Sequence, residues 1–205
     1  MGQRHQIYIV QKKQNKYSAL TAHHHQWCFG ITAATNCIRL VEAIRRAKVR
    51  DGKFESFYCY DQREFDTLVT SIYGIDDDGF VSMVDDEREY LIEDGQIRPE
   101  RGDNNDGCTL VIVDYDSNTI RACMFTPHHV EGKERHKCRA WTPYTPLQYA
   151  KFYYLDPLEQ EGFHKSRIAD LKTGNVGTVT KQEFKKIMAA SLAKEFADEC
   201  EVENV

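Results

Sequence analysis

The chain reads as an α+β protein: an antiparallel sheet of about five strands with helices on one face, followed by a helical C-terminal part. Three observations predict this. Apolar residues alternate in the N-terminal and central segments, apolar residues at helical spacing lie between and after them, and strands come mostly first with helices mostly last. Residues 1–140 are the expected α+β domain, and 141–205 a helical part packed on the same domain. With 41% hydrophobic and 11% aromatic content, 205 residues can bury a substantial core.

The first element is RHQIYIVQKKQNKYSALTAHHH, which alternates in two blocks around KKQNK and predicts a β-hairpin with strands near 4–12 and 17–25. ITAATNCIRLVEAIRRAKV then places Ala34, Cys37, Ile38, Val41 and Ile44 on one helical stripe, and Gly52 suits its stop. FESFYCY, 54–60, has the aromatic content of a strand. DQREFDTLVTSIYG puts Phe65, Leu68, Val69 and Ile72 on a helix that Asp61 can cap. The acidic stretch from Asp76 to Asp106 contains a short helix around 83–92 and ends in a loop, RGDNNDG. TLVIVDYDSNTIRACMF gives the clearest hairpin, turning at Asp116-Ser117-Asn118. WTPYTP is stiff and extended, because each proline disfavours the α region before it. Helices follow at Pro146 and at Asp156-Pro157. The last helix opens on a capping box, Thr180 to Glu183, and turns Phe184, Ile187, Met188, Leu192 and Phe196 inward.

Composition bounds function more loosely. The seven cysteines are an odd number without a CxxC pair, a pattern of free thiols in a reducing compartment. Neither a run of about 18 apolar residues nor a secretory leader occurs, so a protein without membrane attachment is expected, cytoplasmic or virion-associated. The net charge of −5 hides an asymmetry. Ten basic residues stand against three acidic over 1–60, four against fifteen over 61–106, and thirteen against fourteen over 107–205. Such a chain pairs its segments internally or meets a partner of opposite sign. With both signs present, nucleic acid is not the expected partner.

Four clusters carry candidate chemistry. If the first hairpin turns symmetrically about Asn15, paired residue numbers sum to 30, which sets His5 opposite His25 and Ile7 opposite His23. His5, His23 and His25 then share one face, and three imidazoles with an open fourth position suit a catalytic zinc. The same run offers metal-free acid–base chemistry at His5, His24 and His25 with Arg4 as a nearby cation, or Cys28 as a nucleophile beside an imidazole. In CMFTPHHVEGKERHKC, Cys123, His128, His136 and Cys138 supply the ligand count of a structural zinc site. In YGIDDDGFVSMVDDE, Asp76, Asp78 and Asp85 fall at positions three, five and twelve of a calcium loop built on Gly79. Finally, YTPLQYAKFYYL concentrates Tyr149, Phe152, Tyr153 and Tyr154, aromatics with polar tips that favour a protein interface.

Gly2-Gln3-Arg4-His5-Gln6, together with His24-His25-Gln26-Trp27 and Gly30, resembles the start of an uncharacterised, mainly fungal family that shares a GQRHQ strand and a HHQW-x-x-G stretch. The resemblance implies no activity. It implies that His5, His24, His25 and Trp27 belong to one motif and that His23 stands outside it. A His5–His24–His25 grouping requires a bulge or a strand end where alternation stops.

The functional expectation is a non-catalytic interaction or structural protein, a component of a larger assembly such as a virion, with a protein partner rather than a small-molecule substrate. The alternative is a metal-dependent or histidine-based hydrolase working at the N-terminal histidines.

Overall fold

The computed structural model describes residues 4–26, 28, 30–50, 53–54, 62–74, 84–103, 107–128, 130–131, 137–153, 169 and 171–193. Along the chain run strands β1 (Arg4–Lys13) and β2 (Lys16–Gln26), helix α1 (Gly30–Lys48), the short strands β3 (Val49–Arg50) and β4 (Lys53–Phe54), and helix α2 (Gln62–Tyr73). Strand β5 (Val84–Asp86), helix α3 (Arg88–Leu91) and the pair β6 (Ile92–Glu93) and β7 (Gln96–Ile97) follow. Strands β8 (Cys108–Asp114) and β9 (Thr119–Phe125), the pair β10 (Val130–Glu131) and β11 (Lys137–Cys138), and helices α4 (Pro146–Tyr153) and α5 (Lys181–Ile187) complete it.

The fold is α+β around a five-stranded sheet of order β5-β2-β1-β8-β9. The sheet is mixed, not antiparallel as expected, because β1 and β8 run parallel. The two predicted hairpins sit side by side. A strand entered from a distant part of the chain can run in either direction, and hairpin signals in the sequence say nothing about that choice. The fifth strand also differs from expectation. It is β5, inside the stretch read as a short helix at 83–92; the helix is confined to the four residues of α3. Residues 55–60 of the expected strand and the Asp156-Pro157 helix start lie outside the described residues.

Both faces of the sheet are covered. Ile7, Ile9, Val111, Val113, Ala122 and Met124 meet the apolar stripe of α1 (Ala34, Cys37, Ile38, Val41, Ile44), together with Phe65, Val69 and Tyr73 of α2 and Tyr149 of α4. Alternation sends Tyr8, Val10, Leu110, Ile112, Cys123 and Phe125 to the other face, where Leu91, Ile97, Phe184, Ile187 and Met188 pack. Helices therefore lie on two faces rather than one, and the C-terminal part contributes to each. The Thr180 hydroxyl accepts from the Glu183 amide at 3.1 Å, as the capping signature requires.

The strands beside the core of the sheet take further backbone partners. Met124 of β9 exchanges two 2.8 Å backbone bonds with Tyr144, and the Ala122 amide donates to Val176 O at 2.9 Å. On the opposite side β5 covers His23–His25 of β2, and the Ala19 amide donates to Gly95 O at 2.7 Å.

Candidate functional site

The N-terminal hairpin brings His5, His23 and His25 to one sheet face. His5 pairs with His25, Gln6 with His24 and Ile7 with His23, as the sum of 30 requires. The route to that register differs from the symmetric one. Gln14 and Asn15 form the turn with φ of 51° and 60°, so Lys13 pairs with Lys16 and the numbers sum to 29. A bulge between Ile9 and Val10 then inserts one residue on β2 and restores 30 before the histidines are reached.

Three imidazoles on one face would make a metal site only if their nitrogens converged in space. Instead each is hydrogen-bonded inside the fold, and all three residues are at most 3% exposed. His5 Nε2 lies 2.8 Å from Thr109 Oγ1, and the Tyr73 hydroxyl donates to that same oxygen at 3.3 Å. His25 Nε2–H donates to the carbonyl of Tyr73, at the end of α2, at 2.6 Å, and Nδ1 stands 3.2 Å from Gln26 O. His23 Nε2 lies 3.0 Å from Asp66 Oδ1 and 2.8 Å from Thr21 Oγ1, and the Thr21 hydroxyl donates to Asp66 Oδ1 at 2.6 Å. Asp66 also faces Arg88 Nη1 at 3.3 Å, and Arg88 Nε donates to Asp86 at 2.9 Å. Among the described residues no three His, Cys, Asp or Glu side chains form a metal-holding group. A zinc bound by His5, His23 and His25 would have to displace these bonds.

The His23 constellation holds an acid, a base and a hydroxyl, yet its wiring is not that of a nucleophilic triad. A triad places the carboxylate on one ring nitrogen and the hydroxyl on the other. Here Asp66 and Thr21 share Nε2, and Nδ1 is buried with no hydrogen-bond partner. Burial holds His23 below the ordinary imidazole range despite Asp66, and burial likewise lowers His25. Neutral imidazoles serving as donors to fixed acceptors are what this geometry provides.

Compared with known protein families, curated proteins and solved structures, the chain matches none.

His24 points away from the other two. It sits at 6% exposure on the opposite face beside Gln6, with Nδ1 3.7 Å from Glu87 Oε1. The hairpin bulge lies at Ile9/Val10, too far along to swing His24 round, so the His5–His24–His25 grouping is not assembled. Cys28 is fully buried in the helical-face core. Arg4, the cation proposed for acid–base chemistry, pairs with Asp103.

The other clusters divide between described and undescribed residues. Cys123 and Cys138 are buried, and burial pushes the Cys138 thiol up to about 12 and the Cys123 thiol well above its ordinary value. His128 is exposed and His136 lies outside the described residues. Asp76 and Asp78 also lie outside them, whereas Asp85 stands on β5 opposite His24, in a strand rather than at the end of a calcium loop. Tyr149, expected at a partner surface, is a fully buried core residue with its ring 6.4 Å from His5. The Phe152 ring packs edge-on to Tyr144 at 5.0 Å. Tyr153 ends α4, and Tyr154 lies outside the described residues.

Sequence reasoning found the histidines and missed their partners. Asp66 follows Phe65 on the helix stripe that packs against the sheet, and that adjacency was the available signal. Thr21 and Thr109 occupy strand positions whose alternation faces inward, where a hydroxyl needs a polar neighbour. The site's outer wall was missed as well. Asp86, Glu87, Arg88, Glu89 and Tyr90 line a surface concavity of about 590 Å³, and Tyr90 is 55% exposed, the one large hydrophobic side chain so exposed among the described residues.

Proposed function

We propose that this protein is a non-catalytic interaction or structural component of a larger assembly, and that its contact surface is the β5–α3 edge, Val84 to Tyr90, which receives a basic, extended segment of a protein partner. The observation that supports this reading is the concavity at Asp86–Tyr90. It joins an exposed aromatic to carboxylates at the outer edge of a sheet. Among the described residues of the acidic stretch, Arg98 and Arg101 are both bound to Glu93, and Arg88 to Asp66 and Asp86. The exposed Glu89, with the half-buried Glu87 beside His24, offers negative charge to a partner of opposite sign. The edge strand's outer backbone groups can pair with an added strand, and Tyr90 supplies the apolar anchor.

Titration with lysine- and arginine-rich peptides of about twelve residues tests this. Binding is expected that weakens as salt rises and is lost in a Glu87→Lys/Glu89→Lys/Tyr90→Ser variant of unchanged melting temperature. Peptides that bind the variant as well as the parent, or that bind neither, would remove the reading.

A further inference from the structure

Two members of the histidine layer, His23 and His25, do more than fill the sheet face, because both bond helix α2. Helix α2 is attached at both ends. Near its start Asp66 takes bonds from His23 and Thr21 of β2 and faces Arg88 of α3; at its end the Tyr73 carbonyl accepts from His25 and the Tyr73 hydroxyl reaches Thr109. The carbonyl at a helix C-terminus has no partner within the helix, so the His25 N–H supplies one. Alongside these attachments α2 buries Phe65 and Val69 in the core.

We infer that α2 is an acid-released latch: two buried imidazoles dock it on the sheet at neutral pH, and protonating them frees the helix and uncovers the apolar face beneath. The inference does not depend on the partner surface proposed above. Around His23 the charged groups are Asp66 from α2, Asp86 from β5 and Arg88 from α3; Ile7 is its β1 neighbour. Around His25 stand His5 from β1 and His24 from the same strand, with Val84 opposite on β5; the Tyr73 and Gln26 carbonyls at its two ring nitrogens favour the imidazolium, and burial outweighs them. The carboxylates favour the imidazolium, whereas burial and Arg88 oppose it, and burial prevails. A second proton on His23 would land on Nδ1, which has no acceptor.

The sign follows from linkage. A histidine whose pKa is lowered by docking takes up a proton on release, so docking is complete above about pH 6.5 and weakens as pH falls below it. Opening should rise as pH falls through that window, each histidine adding at most about tenfold per pH unit.

Hydrogen exchange of the full chain between pH 7.5 and 5, expressed as protection factors corrected for intrinsic rate, tests the latch. Amides of α2 are expected to lose protection progressively as pH falls below 6.5, whereas β8 amides keep theirs. In a His23→Gln/His25→Gln variant, whose amides donate without titrating, α2 protection should no longer depend on pH. Loss of α2 and β8 protection together, pH-independent α2 protection in the parent, or a variant that keeps the dependence would each overturn the inference. If the variant does not fold, the comparison of α2 with β8 in the parent still decides.

Discussion

Arg121 shows how one side chain joins elements that the sequence keeps far apart. Its guanidinium bonds Asp114 Oδ2 at 2.6 Å and the Glu183 carboxylate, and Glu183 also accepts from the Tyr17 hydroxyl at 2.9 Å. Lys12 reaches Asp114 from the neighbouring strand at 3.0 Å. Burial pushes the Asp114 carboxyl up, but the Ser117 amide and Lys12 outweigh it and hold the group below its ordinary value. The capping signature named Glu183 for its place in the helix, and its side chain instead answers a strand arginine; local pattern reading cannot see a partner 62 residues away. Arg121→Met would leave two nearly buried carboxylates without their shared cation. A loss of about 2–3 kcal/mol is expected, less than the ~3–5 kcal/mol of a fully buried pair. In a chain of this size that lowers the melting temperature by about 4–12 °C in a thermal scan. An unchanged midpoint would mean that Lys12 alone satisfies Asp114.

At the scale of elements, the hairpins, α1 and α2 were legible because their apolar periodicity is strong. The three-residue β5 was not, since an edge strand of VDD has neither length nor alternation to announce it. The first hairpin lies between these cases. Its histidine register was readable, but the turn and the bulge that produce it are backbone conformations of Gln14, Asn15 and the Ile9/Val10 step. Gln14 adopts the left-handed region, which costs a residue of its type roughly 1–2 kcal/mol. The Asp116 carboxylate stabilises it by accepting from the Gln14 and Asn15 amides at 2.7 and 2.8 Å. Gln14→Asn, a residue that tolerates this region, is expected to add about 0.5 kcal/mol and raise the melting temperature by about 1–2 °C. Asp116→Ala should act in the opposite direction by about 1 kcal/mol. A destabilised Gln14→Asn would show that the Gln14 side chain contributes something beyond its backbone.

For the whole molecule, the decisive pairing is β1 with β8, and it is the one no local signal announces. Gln6 and Cys108 stand opposite each other although 102 residues apart, and β8 is buried along its entire length. Each hairpin can close on its own within about 1–10 μs, but joining them requires closing the long connection that carries α1, α2 and β5. The entropy of that closure precedes any reward from the parallel ladder, so the sheet's centre should form late. Two amides report the event directly: Gln6 N–H donates to Gly107 O at 3.1 Å, and Tyr115 N–H to Lys12 O at 2.9 Å. In pulsed hydrogen exchange during refolding, both are expected to gain protection in a slower phase, on the order of milliseconds to seconds, after amides bonded within the two hairpins. If Gln6 and Tyr115 became protected together with the hairpin amides in one phase, the sheet would assemble as a unit. The hairpins would then have no independent existence on the folding route, and the strong local patterns that made them readable would reflect the finished core rather than early structure.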